Sequence, residues 1–227
     1  NYVINKETLI FTGIIYIASW GSDSNVGTSR GYPLKSIYNA LSRSFTGGAI
    51  VLLDYACKVE FDDSAKKNPL KLIKNITFIG EGNSFIYNVD NNLFRLENTI
   101  GITVNFYRLK LIGNGVVTTG GDALFATMFY FQAGANSVNV FNCTIKLRNK
   151  VFVSSYNNSK YSNIYFKNCI IDYADSGSRS LTLNRGMLTG LKASISFVGC
   201  VEHCTYTPAT SGYVNAISRK TDGTSRD

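Results

Sequence analysis

Apolar and polar residues alternate in five short stretches of the chain: "NITFIGEG" from Asn75, "TVNFYRLKLIG" from Thr103, "SVNVFNCTIKL" from Ser137, "NIYFKNCIIDY" from Asn163 and "SISFVGCVEHC" from Ser194. Aligning them on Cys143, Cys169 and Cys200 places Leu109 and Glu81 in the same column. Five residues before that column stand Ile76, Val104, Val138, Ile164 and Ile195, and three before it Phe78, Phe106, Val140, Phe166 and Phe197. Between them lie Thr77, Asn105, Asn139, Tyr165 and Ser196. An apolar, polar, apolar rhythm is the period-two signature of a strand with one buried face. The copies recur every 26 to about 34 residues, too short for an independent domain and right for one solenoid coil that buries its inner face by stacking on its neighbours. One residue before the cysteine column stand Gly80, Arg108, Asn142, Asn168 and Gly199. Gly and Asn enter the left-handed backbone region most readily, so this column marks a corner where one strand bends into the next. Each copy is predicted as strand, tight corner, second strand and a variable loop back.

The N-terminal part follows a different pattern. "GSDSNVGTSRGYPLKSIYNAL", Gly21 to Leu41, is a polar loop that turns into an amphipathic run. Leu34, Ile37, Tyr38 and Leu41 recur at i, i+3, i+4 and i+7, with Pro33 placed at the first helical turn. Gly47-Gly48 ends the helix, and Ala49 to Tyr55 reads as the first buried strand. A helix laid across the end of a solenoid covers a core and strand edges that would otherwise meet water. The predicted organisation is a cap over residues 1–48, coils over 49–204, and a polar segment over 205–227 that continues into further coils or meets a partner.

The "I-x-F-x-N-C-x-I" pattern, clearest from Ile164 to Ile171, resembles the coils of right-handed parallel β-helix proteins. The segment "YIASWGSDSNVGTSRGYPLKSIYNAL" followed by "GGAIVLLD" is similar to the N-terminal cap of many extracellular members of that superfold. Those include polysaccharide lyases of the pectate-lyase superfamily, phage tailspikes and appendages, and adhesin-like surface proteins. The resemblance implies an all-β, right-handed parallel β-helix with a short N-terminal capping helix led by Pro33. It also implies Asn142 and Asn168 stacked at the short turn, an inward thiol column of Cys143, Cys169 and Cys200, and an extracellular, cell-surface or virion-surface location. It specifies fold far better than function.

Composition narrows the partners. Apolar residues make up 44% with only 3 Pro, the balance of an ordered globular chain. A net charge of +8 suits any polyanion, but the basic residues are scattered as Lys66-Lys67, Lys71, Lys74, Lys146, Arg148, Lys150 and Arg219-Lys220. Nucleic acid is therefore disfavoured as a partner. No apolar run approaches the roughly 20 residues of a membrane span. A chain starting at Asn1 is read as a processed product or a piece of a larger parent chain. The five cysteines lack a CxxC pair, so buried small hydrophobes are expected in preference to a metal site, Cys200, His203 and Cys204 included. Asp23, Asn25 and Thr28 echo half of a calcium loop, but no Asp or Glu follows before Asp54, so Asx-turns stiffening the loop are expected.

The outer positions considered for the first strands, Asn75, Thr77, Thr103, Asn105, Ser137, Asn139, Asn163, Tyr165, Ser194 and Ser196, carry no charge. This argues against catalysis there and for a glycan-binding platform built on Asn105, Asn139 and Tyr165, with Tyr156 and Tyr161 nearby and Trp20 packed under the cap loop. The outward positions of the second strands include Lys110, Thr144, Lys146, Ile170, Asp172 and His203. Lys110 and Lys146 are expected one coil apart, about 5 Å if in register, able to bind an anionic sugar. The leading expectation is a non-catalytic, adhesin-like module that binds a glycan or cell-surface polysaccharide and needs no cofactor. The enzymatic alternative is a polysaccharide lyase or glycoside hydrolase using Lys110, Lys146 and Asp172, with calcium only in the lyase case. A purely structural stalk or homo-oligomeric assembly segment is the third.

Overall fold

The computed structural model of the chain describes residues 2–4, 7–58, 70–88, 93–97, 100–114, 127–133, 135–148, 151–155, 162–175 and 193–206. Within these the protein is an all-β parallel β-helix with one short helix. A small antiparallel hairpin, β1 (Tyr2–Ile4) and β2 (Glu7–Leu9), precedes β3 (Ile14–Ile17) and the helix α1 (Ile37–Arg43). Six coils follow. The first strand of each is β4 (Gly48–Leu53), β7 (Ile76–Glu81), β10 (Thr103–Tyr107), β13 (Ser137–Phe141), β16 (Ser162–Lys167) and β18 (Ala193–Val198). The second strand is β5 (Ala56–Lys58), β8 (Phe85–Asn88), β11 (Lys110–Asn114), β14 (Thr144–Arg148), β17 (Ile170–Asp175) and β19 (Val201–Tyr206). The loop back is more ordered than its sequence suggests, because four coils carry a third strand there: β6 (Leu70–Leu72), β9 (Phe94–Glu97), β12 (Thr127–Ala133) and β15 (Val151–Ser155).

Stacking these coils gives a seven-stranded sheet ordered β18-β16-β13-β10-β7-β4-β3, a six-stranded sheet ordered β19-β17-β14-β11-β8-β5 and a four-stranded sheet ordered β15-β12-β9-β6. Every pairing within the three is parallel, so each residue sits beside its counterpart in the coils above and below. Burial follows the predicted alternation in β10 and β13. Inside, Phe78 stacks on Phe106 at 5.2 Å and Phe94 on Phe129 at 5.5 Å, and Phe94 meets Phe106 at 4.8 Å, which locks the first sheet to the third. Rings in register build ladders on either side of Val140, which stands between Phe106 and Phe166, and burial of such rings dominates the stability of a core of this kind.

The corners explain the Asn and Gly column. Asp54, Arg108, Asn142 and Asn168 have φ of 45°, 52°, 52° and 54°, and Gly82 and Gly199 of 58° and 61°. One register correction follows. Gly80 is not a corner residue: β7 continues through Gly80 to Glu81, and Gly82 makes the turn. The longer turn puts Ser84 in the column where Glu81 is expected, and the buried Ser84 hydroxyl donates to the Leu52 carbonyl at 2.9 Å. Gly80 is glycine for another reason, since a Cβ there would stand 2.4 Å from the Arg108 carbonyl oxygen. Cys143 and Cys169 are buried and Cys200 is partly so, and Leu109 N–H donates to Cys143 Sγ at 3.4 Å, so the thiol column lies inward. Burial pushes the Cys143 thiol up to about 12 and the Cys169 thiol to about 11, leaving both protonated and inert.

The helix begins later than expected. Its N-cap is Ser36, whose hydroxyl accepts from Tyr38 and Asn39 N–H, so Pro33 precedes the helix and does not occupy its first turn. Leu34 forms a parallel bridge with Ile17 and is fully buried. The face turned to the core is Ile37 and Ala40 with Leu41 against it, whereas Tyr38 is exposed.

Candidate functional site

The outer face of the seven-stranded sheet divides into rows that run from coil to coil. One row is Thr77, Asn105, Asn139, Tyr165 and Ser196, in register throughout. Asn139 Nδ2 donates to Asn105 Oδ1 at 2.9 Å, and Asn105 Nδ2 donates to Thr77 Oγ1 at 3.2 Å. The expected residues Asn105, Asn139 and Tyr165 are thus neighbours on one face, and the two amides are bonded to each other. The adjacent row is Ile79, Tyr107, Phe141, Lys167 and Val198. Tyr107 stacks on Phe141 at 4.8 Å and 19°, and Phe141 meets Tyr165 edge-on at 5.9 Å and 65°. Lys167 is exposed beside Phe141.

Sequence reasoning missed this second row because it followed only the first two outward positions of each strand. The five-residue spans of β10 and β13 give each a third, and a strict period-two count through Tyr107, Phe141 and Lys167 finds it. The claim that this face carries no charge is corrected by Lys167 and by Glu81 at the end of β7.

The N-terminal segment covers the first coils of the same face. Leu9, Phe11, Ile14 and Tyr16 pack on the buried outer residues Ala49, Val51, Leu53 and Ile79. The cap loop is fixed there by Arg30, which grips Glu81 with two bonds of 2.5 and 2.6 Å and lies over the Tyr16 ring at 5.3 Å. Among the described residues the aromatic and amide rows therefore become accessible from β10 onward. Trp20 is 62% exposed and does not pack under the loop. Tyr156, Tyr161 and residues 207–227 lie outside the described residues.

The second sheet holds the basic candidates in a different arrangement from that expected. Lys110 lies in register with Thr144, and Lys146 with Ile112, so the two lysines are displaced by two residues along the strands and do not form a lateral pair. Lys110 Nζ reaches Asn83 Oδ1 at 3.5 Å. Lys146 Nζ instead meets Asp172 Oδ2 at 3.3 Å, and the backbone of His203 follows Asp172 on the next coil. Lys146 and Asp172 thus share one outward row, one coil apart, and the backbone of His203 is in register with them on the coil after. The side chains of His203 and Cys204 lie outside the described residues.

Asp23 and Asn25 of the cap loop are both engaged. Asp23 Oδ1 accepts from Lys35 and Ser36 N–H at 3.1 and 2.9 Å, and Asn25 Nδ2 donates to the Pro33 carbonyl at 2.8 Å. Arg43 closes the loop from the other end of the helix by donating to the Asn25 and Asp23 carbonyls. Burial alone would push the Asp23 carboxyl up, but these backbone bonds, Asn39 and the Arg43 charge outweigh it and hold it below its usual range. Lys74 does related work, its Nζ donating to the Leu41 and Ser44 carbonyls at the helix C-terminus, and partial burial lowers its pKa. Among the described residues no three His, Cys, Asp or Glu gather as a metal cluster would require, and no helix is long and apolar enough to cross a membrane.

No protein-family model and no curated protein matches the chain. Among solved structures the fold is similar to that of a rhamnogalacturonan lyase, with 11% sequence identity and a TM-score of 0.48. The match covers 92% of this chain and 66% of the lyase, so the chain spans less than two thirds of that protein's length.

Proposed function

We infer that the protein is a non-catalytic β-helix module of an extracellular, cell or virion surface that binds glycans on the outer face of its seven-stranded sheet. The observation that carries this reading is the pairing of two rows. Asn105 and Asn139 offer amide groups held in place by their own hydrogen bonds, and Tyr107 and Phe141 of the next row, with Tyr165 beyond Asn139 in the same row, add aromatic surface. Sugars present hydroxyl groups and apolar C–H faces together, so a surface alternating fixed amides and rings is complementary to them. A fixed ladder also loses little side-chain freedom on binding. The test is retention of the purified chain on a panel of immobilised neutral and acidic polysaccharides, with release of reducing or unsaturated ends followed in parallel. Retention without release is expected. Absence of retention on every polysaccharide would remove the reading.

A second reading, a polysaccharide lyase or glycoside hydrolase, draws on the second sheet. Lys146 meets Asp172 of the next coil at 3.3 Å, placing a carboxylate beside an amine on one outward row. End-group release that persisted unchanged in Lys146→Ala would defeat this assignment.

A further inference from the structure

Four residues on two neighbouring strands make a patch whose chemistry is more specific than the face as a whole. Asn139 and Phe141 of β13 lie in register with Tyr165 and Lys167 of β16. The four corners therefore enclose about 5 Å between strands by about 7 Å along them, set by strand spacing and the rise of two residues. Each corner differs.

At the first corner the amide ladder is directional. Asn139 donates to Asn105 and Asn105 to Thr77, so each Nδ2 points toward the N-terminal coils and polarises the next bond. The ladder ends at Tyr165, which has no amide to continue it, and no described side chain donates to Asn139 Oδ1. A carbonyl oxygen with open lone pairs is left at the edge of the patch. At two further corners are rings: Phe141, stacked on one side by Tyr107, and Tyr165, set at 65° to it. The acceptor is thus bordered by apolar walls. At the last corner the exposed Lys167 forms no ion pair among the described residues, and Glu81 of the same sheet stands three coils away on β7, held by Arg30.

We propose that Asn139, Phe141, Tyr165 and Lys167 form a subsite for a sugar bearing both an acetamido group and a carboxylate. This rests on the glycan-binding reading above and specifies its ligand. An acetamido N–H donates to Asn139 Oδ1 and extends the amide ladder by one member, while its methyl group lies against the Phe141 and Tyr165 rings. A hydroxyl would satisfy the oxygen but leave the walls without an apolar partner. The carboxylate pairs with Lys167, the cation that the patch itself leaves unneutralised, and the bond between charged groups is the stronger kind.

Isothermal titration calorimetry at low salt with three soluble probes tests this: a sialic acid oligosaccharide, which carries both groups, a chitin oligosaccharide, which is acetylated and neutral, and an oligogalacturonate, which is acidic without acetamido. The first is expected to bind at least tenfold more tightly than either of the others. Lys167→Gln should erase its advantage over the chitin oligosaccharide, and Asn139→Leu its advantage over the oligogalacturonate. Asn139→Leu also breaks the ladder and endangers folding, so Tyr165→Ala, at a partly exposed position beyond the amide ladder, supplies an independent variant and should weaken the first probe about tenfold. Circular dichroism confirms that each is folded. Equal affinity for the three probes, or affinity unmoved by all three substitutions, overturns the subsite while glycan binding stands. If neither these probes nor any immobilised polysaccharide binds, the glycan-binding reading itself falls.

Discussion

At the scale of the residue, the corners between first and second strands decide what the chain can be. A left-handed backbone costs an ordinary L-residue about 1–2 kcal/mol, and Asn reduces that cost through local hydrogen bonding. Asn168, at φ 54°, holds this conformation between β16 and β17, and its side-chain oxygen sits where a Cβ on Gly199 would come within 2.7 Å. Asn168→Ala is expected to lower stability by about 1 kcal/mol, whereas Asn168→Gly, which removes the side chain but relieves the backbone, should cost less. Urea denaturation of both variants checks the order, and an Ala variant as stable as the Gly variant would contradict it. These corners were legible in the sequence because Asn142, Asn168 and Gly199 precede cysteines at fixed spacing. Gly80 misled because glycine has two uses. Close approach to the Arg108 carbonyl needs the missing Cβ as much as a positive φ does, and spacing alone does not separate them.

At the scale of the element, the cap loop and α1 work as one unit. Asp23 receives the N–H groups of Lys35 and Ser36 just before the helix, and Arg43 returns from its last turn to the Asp23 and Asn25 carbonyls. The loop thus grips both ends of a seven-residue helix that would not persist alone. Asp23→Ala should cost about 1 kcal/mol at neutral pH, the usual value of a lost cap-type bond. Because the folded-state pKa of Asp23 is lowered, its contribution is present above the ordinary carboxylate pKa of about 3.9 and disappears as pH falls through the lower folded value. The gap in melting temperature between wild type and variant should accordingly close on acidification, and a gap constant from pH 7 to pH 2 would rule out a charged Asp23 as the clamp. The amphipathic run announced this helix, but not its start, since Leu34 follows helical spacing yet is claimed by a bridge to Ile17. Two of the third strands were hidden for a similar reason. Leu70–Leu72 spans three residues and Phe94–Glu97 four, too short for alternation to stand out from a loop.

At the scale of the whole molecule, stability is a sum over stacked coils, each buried only by its neighbours. The aromatic interior makes the position of a coil matter. Phe106 lies in the middle of the stack and touches Phe78 at 5.2 Å, Phe94 at 4.8 Å and Phe129 at 5.9 Å. Phe197 belongs to the last described coil, is only partly buried, and stacks on Phe166 at 5.0 Å. The same substitution should therefore have different consequences. Phe106→Ala opens a cavity bounded by rings of two sheets that cannot collapse without moving both, and is expected to cost about 3–5 kcal/mol. Phe197→Ala removes a side chain with fewer neighbours, and roughly half that loss is expected, since cost follows burial and residual cavity. The two should also differ in kind. Opening the central coil separates coils on either side from their neighbours, so limited proteolysis of Phe106→Ala should cut between β7 and β13, while cleavage in Phe197→Ala should stay beyond β16. Equal losses and the same cleavage pattern in both would mean that the chain unfolds as one cooperative block and not coil by coil. In that case the platform of Asn139, Phe141, Tyr165 and Lys167 would draw its rigidity from the entire stack, and a distant cap substitution such as Asp23→Ala would weaken ligand binding in proportion to the stability it removes.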